Sequence, residues 1–274
     1  MKKEKIGKRA ITYALFALLI SVLLMSAGEN EDIKAKDICL KSASVVEFND
    51  IKLSVTLRIY NKDGAERVRK LSSVTKKYGE EGKMLLRFDQ PADYKGTTML
   101  IYDYETKSDD IWIYLPSLRK SRRIISSEKG KSFMGSEFSN SDMSKPSLND
   151  FTYKILGSEN IEGHDCWKIE TIPNEKAVAE EYGFFKKISL IDKETFLCYK
   201  FETFDIKGVL IKTALLKQYR QISEYKYMAM TMEMKNEQNG RRSVINIDNY
   251  SEGVSLTESE FSPSKLEWLS TCKL

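Results

Sequence analysis

From Ile51 onward the chain alternates apolar and polar residues with the period of two that marks half-buried β-strands. Ile51–Tyr60 (IKLSVTLRIY) alternates cleanly, Asn61-Lys62-Asp63-Gly64 supplies hairpin-turn chemistry, and Glu66–Lys77 reads as the returning strand. Further strands are predicted over Met84–Asp89, Thr97–Tyr104 and Ile111–Leu115, divided by Pro91-Ala92-Asp93 and Ser108-Asp109-Asp110. The later ones are Phe151–Leu156, Cys166–Ile172, Phe184–Ile191, Leu197–Asp205, Val209–Ile222, Lys226–Met234 and Ser243–Asp248. About a dozen strands with short turns argue an all-β, antiparallel architecture. Met84–Phe88 and Ile111–Leu115 are apolar on both faces, so each face needs a cover. A large curved sheet forming an incomplete, open β-barrel meets that need, with short helices covering an apolar concave face; a two-sheet core meets it too. Residues 31–44 are expected to form a short helix with Ile33, Ile38 and Ala43 on one stripe.

The N-terminus has a different texture. Basic residues precede an apolar run, Ala10–Met25, and then the small residues Ser26-Ala27-Gly28. This is the layout of a secretory signal peptide, with cleavage expected before Glu29. An uncleaved anchor is the alternative, because Ala10–Ala27 is just long enough to span a bilayer. The expected organisation is therefore a signal peptide over residues 1–28 and one domain over 29–274, exported to the periplasm. The chain is expected to end too soon after Trp268 to hold a second domain.

This leader alters the meaning of the net charge. The chain carries 44 Lys+Arg against 40 Asp+Glu. Residues 1–9 hold five bases and one acid, so both totals fall to 39 without them. A neutral remainder gives no electrostatic basis for nucleic-acid binding. Export also permits disulfides. Cys39 and Cys272 lie near opposite ends of the remaining chain and are a possible pair; four buried thiols are the other reading. With a single histidine and no short Cys spacing, no zinc site or cofactor is expected.

Catalytic templates fail. Gly130-Lys131-Ser132 resembles the end of a phosphate loop, but Ile125 stands where the first glycine belongs. His164 lies in a turn sequence before a strand, and Asp109-Asp110 and Glu180-Glu181 are adjacent acids rather than a spaced pair. The expectation is a protein that is not an enzyme.

Two segments stand apart. A basic loop with Arg119, Lys120, Arg122 and Arg123 follows the aromatic strand at Ile111–Leu115, and suits a lipid head group, a carboxylate or a structural acid, with an ordinary solvated loop as the other reading. Ser132–Met143 sets Phe133, Met134, Phe138 and Met143 among small polar residues, as a packed connection or a movable lid would.

These segments also carry a resemblance. Phe88-Asp89-Gln90-Pro91-Ala92-Asp93-Tyr94-Lys95-Gly96-Thr97, Trp112-Ile113-Tyr114-Leu115-Pro116, Arg122-Arg123-Ile124 and Ser132-Phe133-Met134-Gly135-Ser136-Glu137-Phe138 follow one another in order. The series resembles the outer-membrane lipoprotein-sorting family, and within it the LolA-like subgroup with FxxPxDxxGT, WxYLP, RRI and SFMGSDF-type blocks. Glu137 stands where that subgroup usually has Asp. The resemblance spans about residues 40–268. It implies an incomplete antiparallel barrel with helices plugging an apolar cavity, and no catalytic residues.

The function implied is a periplasmic carrier or chaperone that binds the acyl chains of lipoproteins or lipids for transfer toward the outer membrane. The partners implied are an acylated lipoprotein or lipid, with an inner-membrane transporter as a further candidate. Leu86, Phe88, Met99, Trp112, Tyr114, Phe133 and Phe138 are the candidate cavity residues, and Arg119, Arg122 and Arg123 the candidate head-group contacts. A sensor or adaptor that binds a partner protein through the same half-barrel is the rival reading.

Overall fold

A computed structural model describes residues 32–104, 107–145 and 147–272. The expected signal peptide lies outside these residues. Among the described residues, no helix is long and apolar enough to cross a membrane.

The strands are β1 (Asp50–Tyr60), β2 (Glu66–Tyr78), β3 (Glu81–Gln90), β4 (Thr98–Asp103), β5 (Asp110–Leu115) and β6 (Lys120–Ile124). A second run contains β7 (Phe151–Ile161), β8 (His164–Pro173), β9 (Lys186–Asp192), β10 (Cys198–Phe204), β11 (Leu210–Ser223), β12 (Lys226–Asn236) and β13 (Arg242–Ser251). The helices are α1 over 32–44, α2 (Ser126–Lys129), α3 (Lys176–Tyr182) and α4 (Leu266–Leu269).

All the strands belong to one 13-stranded sheet in the order β6-β5-β4-β3-β2-β1-β13-β12-β11-β10-β9-β8-β7, antiparallel at every pairing. Each run is a meander of hairpins, and β1 joins them by pairing with β13. The sheet does not close: β6 and β7, consecutive in sequence, are its two edges. It is the open half-barrel expected from the strand pattern and the family resemblance.

The basic loop after β5 is partly a strand, which is a correction to the expectation. In β6, Lys-Ser-Arg-Arg-Ile, four of five residues are exposed and only Ile124 is buried. An edge strand with both faces largely in solvent has no apolar alternation, and its charges discourage pairing with a further strand. A second correction concerns α1, which buries Ala35 and Ile38 and leaves Ile33 58% exposed.

The doubly apolar strands have two covers. Leu86, Phe88, Met99, Ile101, Ile111 and Ile113 share one apolar cluster with Phe133 and Phe138, which come from the β6–β7 connection. The alternate residues Leu85, Leu100 and Tyr114 pack instead against Val254, Leu256, Phe261, Leu266 and Leu269 of the C-terminal segment. That segment is tied down where Tyr78 and Tyr102 donate hydroxyl hydrogen bonds to the Leu256 and Phe261 carbonyls at 3.1 and 2.5 Å.

Candidate ligand-binding cavity

The β6–β7 connection has to run from one sheet edge to the other, which lays it across the concave face. Its Phe133 stacks at a tilt on Phe88, with ring centroids 5.8 Å apart. Polar contacts then fix its backbone. Arg69, only 4% exposed, donates to the Met134 carbonyl and lies 3.9 Å from the Tyr94 ring. Arg241 reaches the Gly135 carbonyl at 2.8 Å and the Glu137 carboxylate at 3.0 Å. Asn236 donates to the same carboxylate at 2.9 Å, Ser243 Oγ accepts the Glu137 N–H at 3.0 Å, and Lys212 donates to its carbonyl at 2.6 Å. Glu137 is thus the polar anchor of the plug, and four strand residues with Arg241 of the β12–β13 turn hold this segment as a packed connection.

Beyond the plug, toward β7, the concave face is not filled. The strand register aligns Ile169, Ser189, Phe201, Ala214 and Met234 in one row from β8 to β12, and Thr171, Lys187, Thr203 and Lys212 in the next. Ser189, Thr171, Thr203 and Ala214 are buried yet too small to reach across the space above them. A cavity of about 420 Å³ results, roofed by α1 (Cys39, Ala43), the adjoining Val46 and the plug (Phe138, Met143), and walled by Phe151, Tyr153 and Phe184. This volume lies within the roughly 300–1,000 Å³ typical of small-molecule pockets.

Its walls offer little chemistry beyond apolar contact. Tyr153 donates to the Leu148 carbonyl at 3.0 Å, and Tyr182 accepts the Ser147 N–H at 3.1 Å; burial raises the pKa of both phenols. Burial also pushes the Cys39 thiol to about 11 and Cys198 to about 12, so both are neutral and poor nucleophiles near pH 7. Among the described residues, no group of His, Cys, Asp or Glu is arranged to hold a metal ion.

Of the candidate cavity residues, only Phe138 lines this space. Leu86, Phe88 and Met99 are buried under the plug in the filled half of the concave face, where the plug's own Phe133 packs on them. Trp112 and Tyr114 belong to the other face, against the C-terminal segment, because successive β5 side chains alternate. The Cys39–Cys272 pair is also corrected. All four cysteines are free, and the two pack in separate apolar clusters, Cys39 with β7–β9 and Cys272 with the C-terminal cover.

The arginines meet structural acids. Arg122 pairs with Glu128 at 2.7 Å and Arg123 with Asp110, while Arg119 occupies a turn position with φ of 49°. None of the three borders the cavity. His164 is the first residue of β8, with Nδ1 3.3 Å from Asp192 and its ring stacked on Tyr199.

The cavity floor that sequence reasoning missed is formed largely by β8–β12. Its signal was present as small residues, Thr171, Ser189, Thr203 and Ala214, at inward positions of otherwise large-residue strands.

A family model described as an uncharacterized protein matches residues 80–268. Among solved structures, an outer-membrane lipoprotein-sorting protein domain from Vibrio parahaemolyticus is 29% identical, with a TM-score of 0.79 over 86% of this chain and 99% of that one. A DUF1329 family protein from Desulfovibrio piger is 27% identical, with a TM-score of 0.78 over 86% and 99%. A LolA superfamily protein from Nitrosomonas europaea shares the fold at 20% identity, with a TM-score of 0.65 over 83% and 97%. No curated protein matches the chain significantly.

Proposed function

This chain belongs to the family whose model matches residues 80–268, and we propose that it is a LolA-like member of the outer-membrane lipoprotein-sorting proteins, a non-enzymatic periplasmic carrier of acyl chains. It takes up the lipid portion of a lipoprotein or a free lipid and passes it toward the outer membrane. The observation that carries this reading is the apolar cavity of about 420 Å³ between the half-barrel, α1 and the plug. An acyl chain gains about 0.8 kcal/mol for each CH₂ it buries, so about ten buried methylenes correspond to micromolar binding. The neutral thiols and hydrogen-bonded phenols of the walls suit holding a chain rather than cleaving it.

The test is mass spectrometry of lipid extracted from the purified protein, followed by titration of the delipidated protein with a fluorescent fatty acid. Co-purified lipid and saturable uptake are expected. A protein that carries no lipid and takes up no probe is not an acyl carrier.

A further inference from the structure

Two lysines project from the same concave-face row, and they differ in what they meet. Lys212 is spent on the plug, 2.6 Å from the Glu137 carbonyl. Lys187 borders the cavity with its ammonium 5.6 Å from the Phe184 ring centroid and 5.8 Å from that of Phe201. Among the described residues, no carboxylate pairs with it. The acids bordering the same space are engaged elsewhere: Glu233 lies 3.6 Å from Lys217 and 3.9 Å from Arg242, and Asp142, at the exposed rim, accepts the Ser139 N–H at 2.7 Å. The nearby Cys39 and Cys198 thiols are neutral and supply no counter-charge.

A half-buried ammonium that meets aromatic rings and neutral thiols but no carboxylate keeps an unneutralised charge that an anion entering the cavity can pair with, and a carrier for uncharged chains has no need of it. We infer that the cavity selects an amphiphile with one acyl chain and an anionic head, carboxylate or phosphate, and that Lys187 binds that head. This rests on the carrier reading of the same cavity and narrows its ligand. The small row residues Ser189 and Ala214 and the apolar roof take the chain, and Lys187 fixes which end enters first. A cavity of about 420 Å³, in the lower part of the pocket range, suits one chain rather than three.

The experiment compares cis-parinaric acid with its methyl ester on the delipidated protein, by probe fluorescence, with lysophosphatidic acid as a competitor. The acid is expected to bind about tenfold or more tighter than the ester, the range of a charge-assisted hydrogen bond. Lys187→Met brings acid and ester binding to the same strength, while Lys187→Arg keeps the preference for the acid. Lys187-dependent displacement by lysophosphatidic acid extends the head to phosphates; without it the head is a carboxylate. Acid and ester binding alike in the unaltered protein overturns the inference and leaves the carrier reading standing. So does a preference that survives in Lys187→Met. Binding of neither probe overturns both. The acid–ester comparison needs no variant, so it decides the matter even where Lys187→Met fails to fold.

Discussion

Lys129 Nζ lies 2.6 Å from Glu181 Oε1, and the two side chains are only 5% and 15% exposed. This pair joins α2, which follows one edge strand, to α3, which comes from the far side of the sheet. Ser108 completes the cluster by hydrogen bonding to both groups. Burial alone raises the Glu181 pKa, but the bonds from Lys129 and Ser108 outweigh it and hold the carboxyl below its ordinary value.

Breaking this pair leaves one buried charge without its partner, which costs about 3–5 kcal/mol. Lys129→Met and Glu181→Gln are each expected to lower the urea midpoint, and the double variant to recover part of the loss. Because the Glu181 pKa is depressed on folding, its contribution is present above the unfolded carboxylate pKa. It disappears as pH falls through the folded value, so Glu181→Gln costs less in acid than at pH 7. An equal cost at both pH values contradicts this assignment.

Gly130 and Gly183 meet beside that pair. A Cβ on Gly130 would lie 2.7 Å from the Glu180 carbonyl oxygen and 2.9 Å from Gly183 Cα, both backbone atoms that cannot swing aside. Gly183 also caps α3 with φ of 77°. Gly130→Ala is expected to destabilise by about 1–3 kcal/mol, the range of overpacking in a tight contact. A calorimetric melt unchanged from that of the parent protein would refute it.

Asp103 is an opposite case. Burial, together with the nearby Asp109, pushes its carboxyl to about 7. A raised carboxyl binds its proton more tightly folded than unfolded, so stability falls as pH rises from the unfolded value near 4 to about 7. Asp103→Asn is therefore expected to raise the melting temperature at pH 8 and to change it little at pH 4. Stabilisation of equal size at both would point to a cause other than charge.

Filling the cavity separates binding from folding. Ser189 is buried, yet it faces open space between Ile169 and Phe201. Ser189→Phe is expected to abolish uptake of a fluorescent fatty acid while the far-ultraviolet circular dichroism stays that of the parent. Phe133→Ala does the reverse: it removes a 1%-exposed ring from the filled half, costs about 3–5 kcal/mol, and leaves the cavity lining untouched.

The strand pattern was legible because most strands bury one face and alternate, as Ile51–Tyr60 does. Lys120–Ile124 escaped because an edge strand exposed on both faces has no alternation to read. The need for two covers on Met84–Phe88 and Ile111–Leu115 was also legible, but not their identity. Nothing local to Phe261 or Leu266 says that they return to the outer face of β3–β5. The candidate residues centre on a different part of the concave face from this cavity for a related reason. Large apolar residues such as Phe88 and Met99 mark where space is filled, whereas an unfilled space is bordered by small ones such as Ser189 and Thr203. Lys187 gave no signal, since an inward lysine beside Lys186 at the start of β9 reads as one more surface charge.

The pairing of β1 with β13 has a consequence for how the chain acquires its structure. The first strand made and the last one made are neighbours at the centre of the sheet. A chain emerging N-terminus first from a ribosome holds β1 with one bare edge until nearly everything else has been synthesised. The two meanders can form early from local hairpins, but their union waits for the closing contact between distant segments, which is the slow kind. The half-barrel is therefore a late event in the life of each molecule, and until then β1 offers its open side to any strand that comes near.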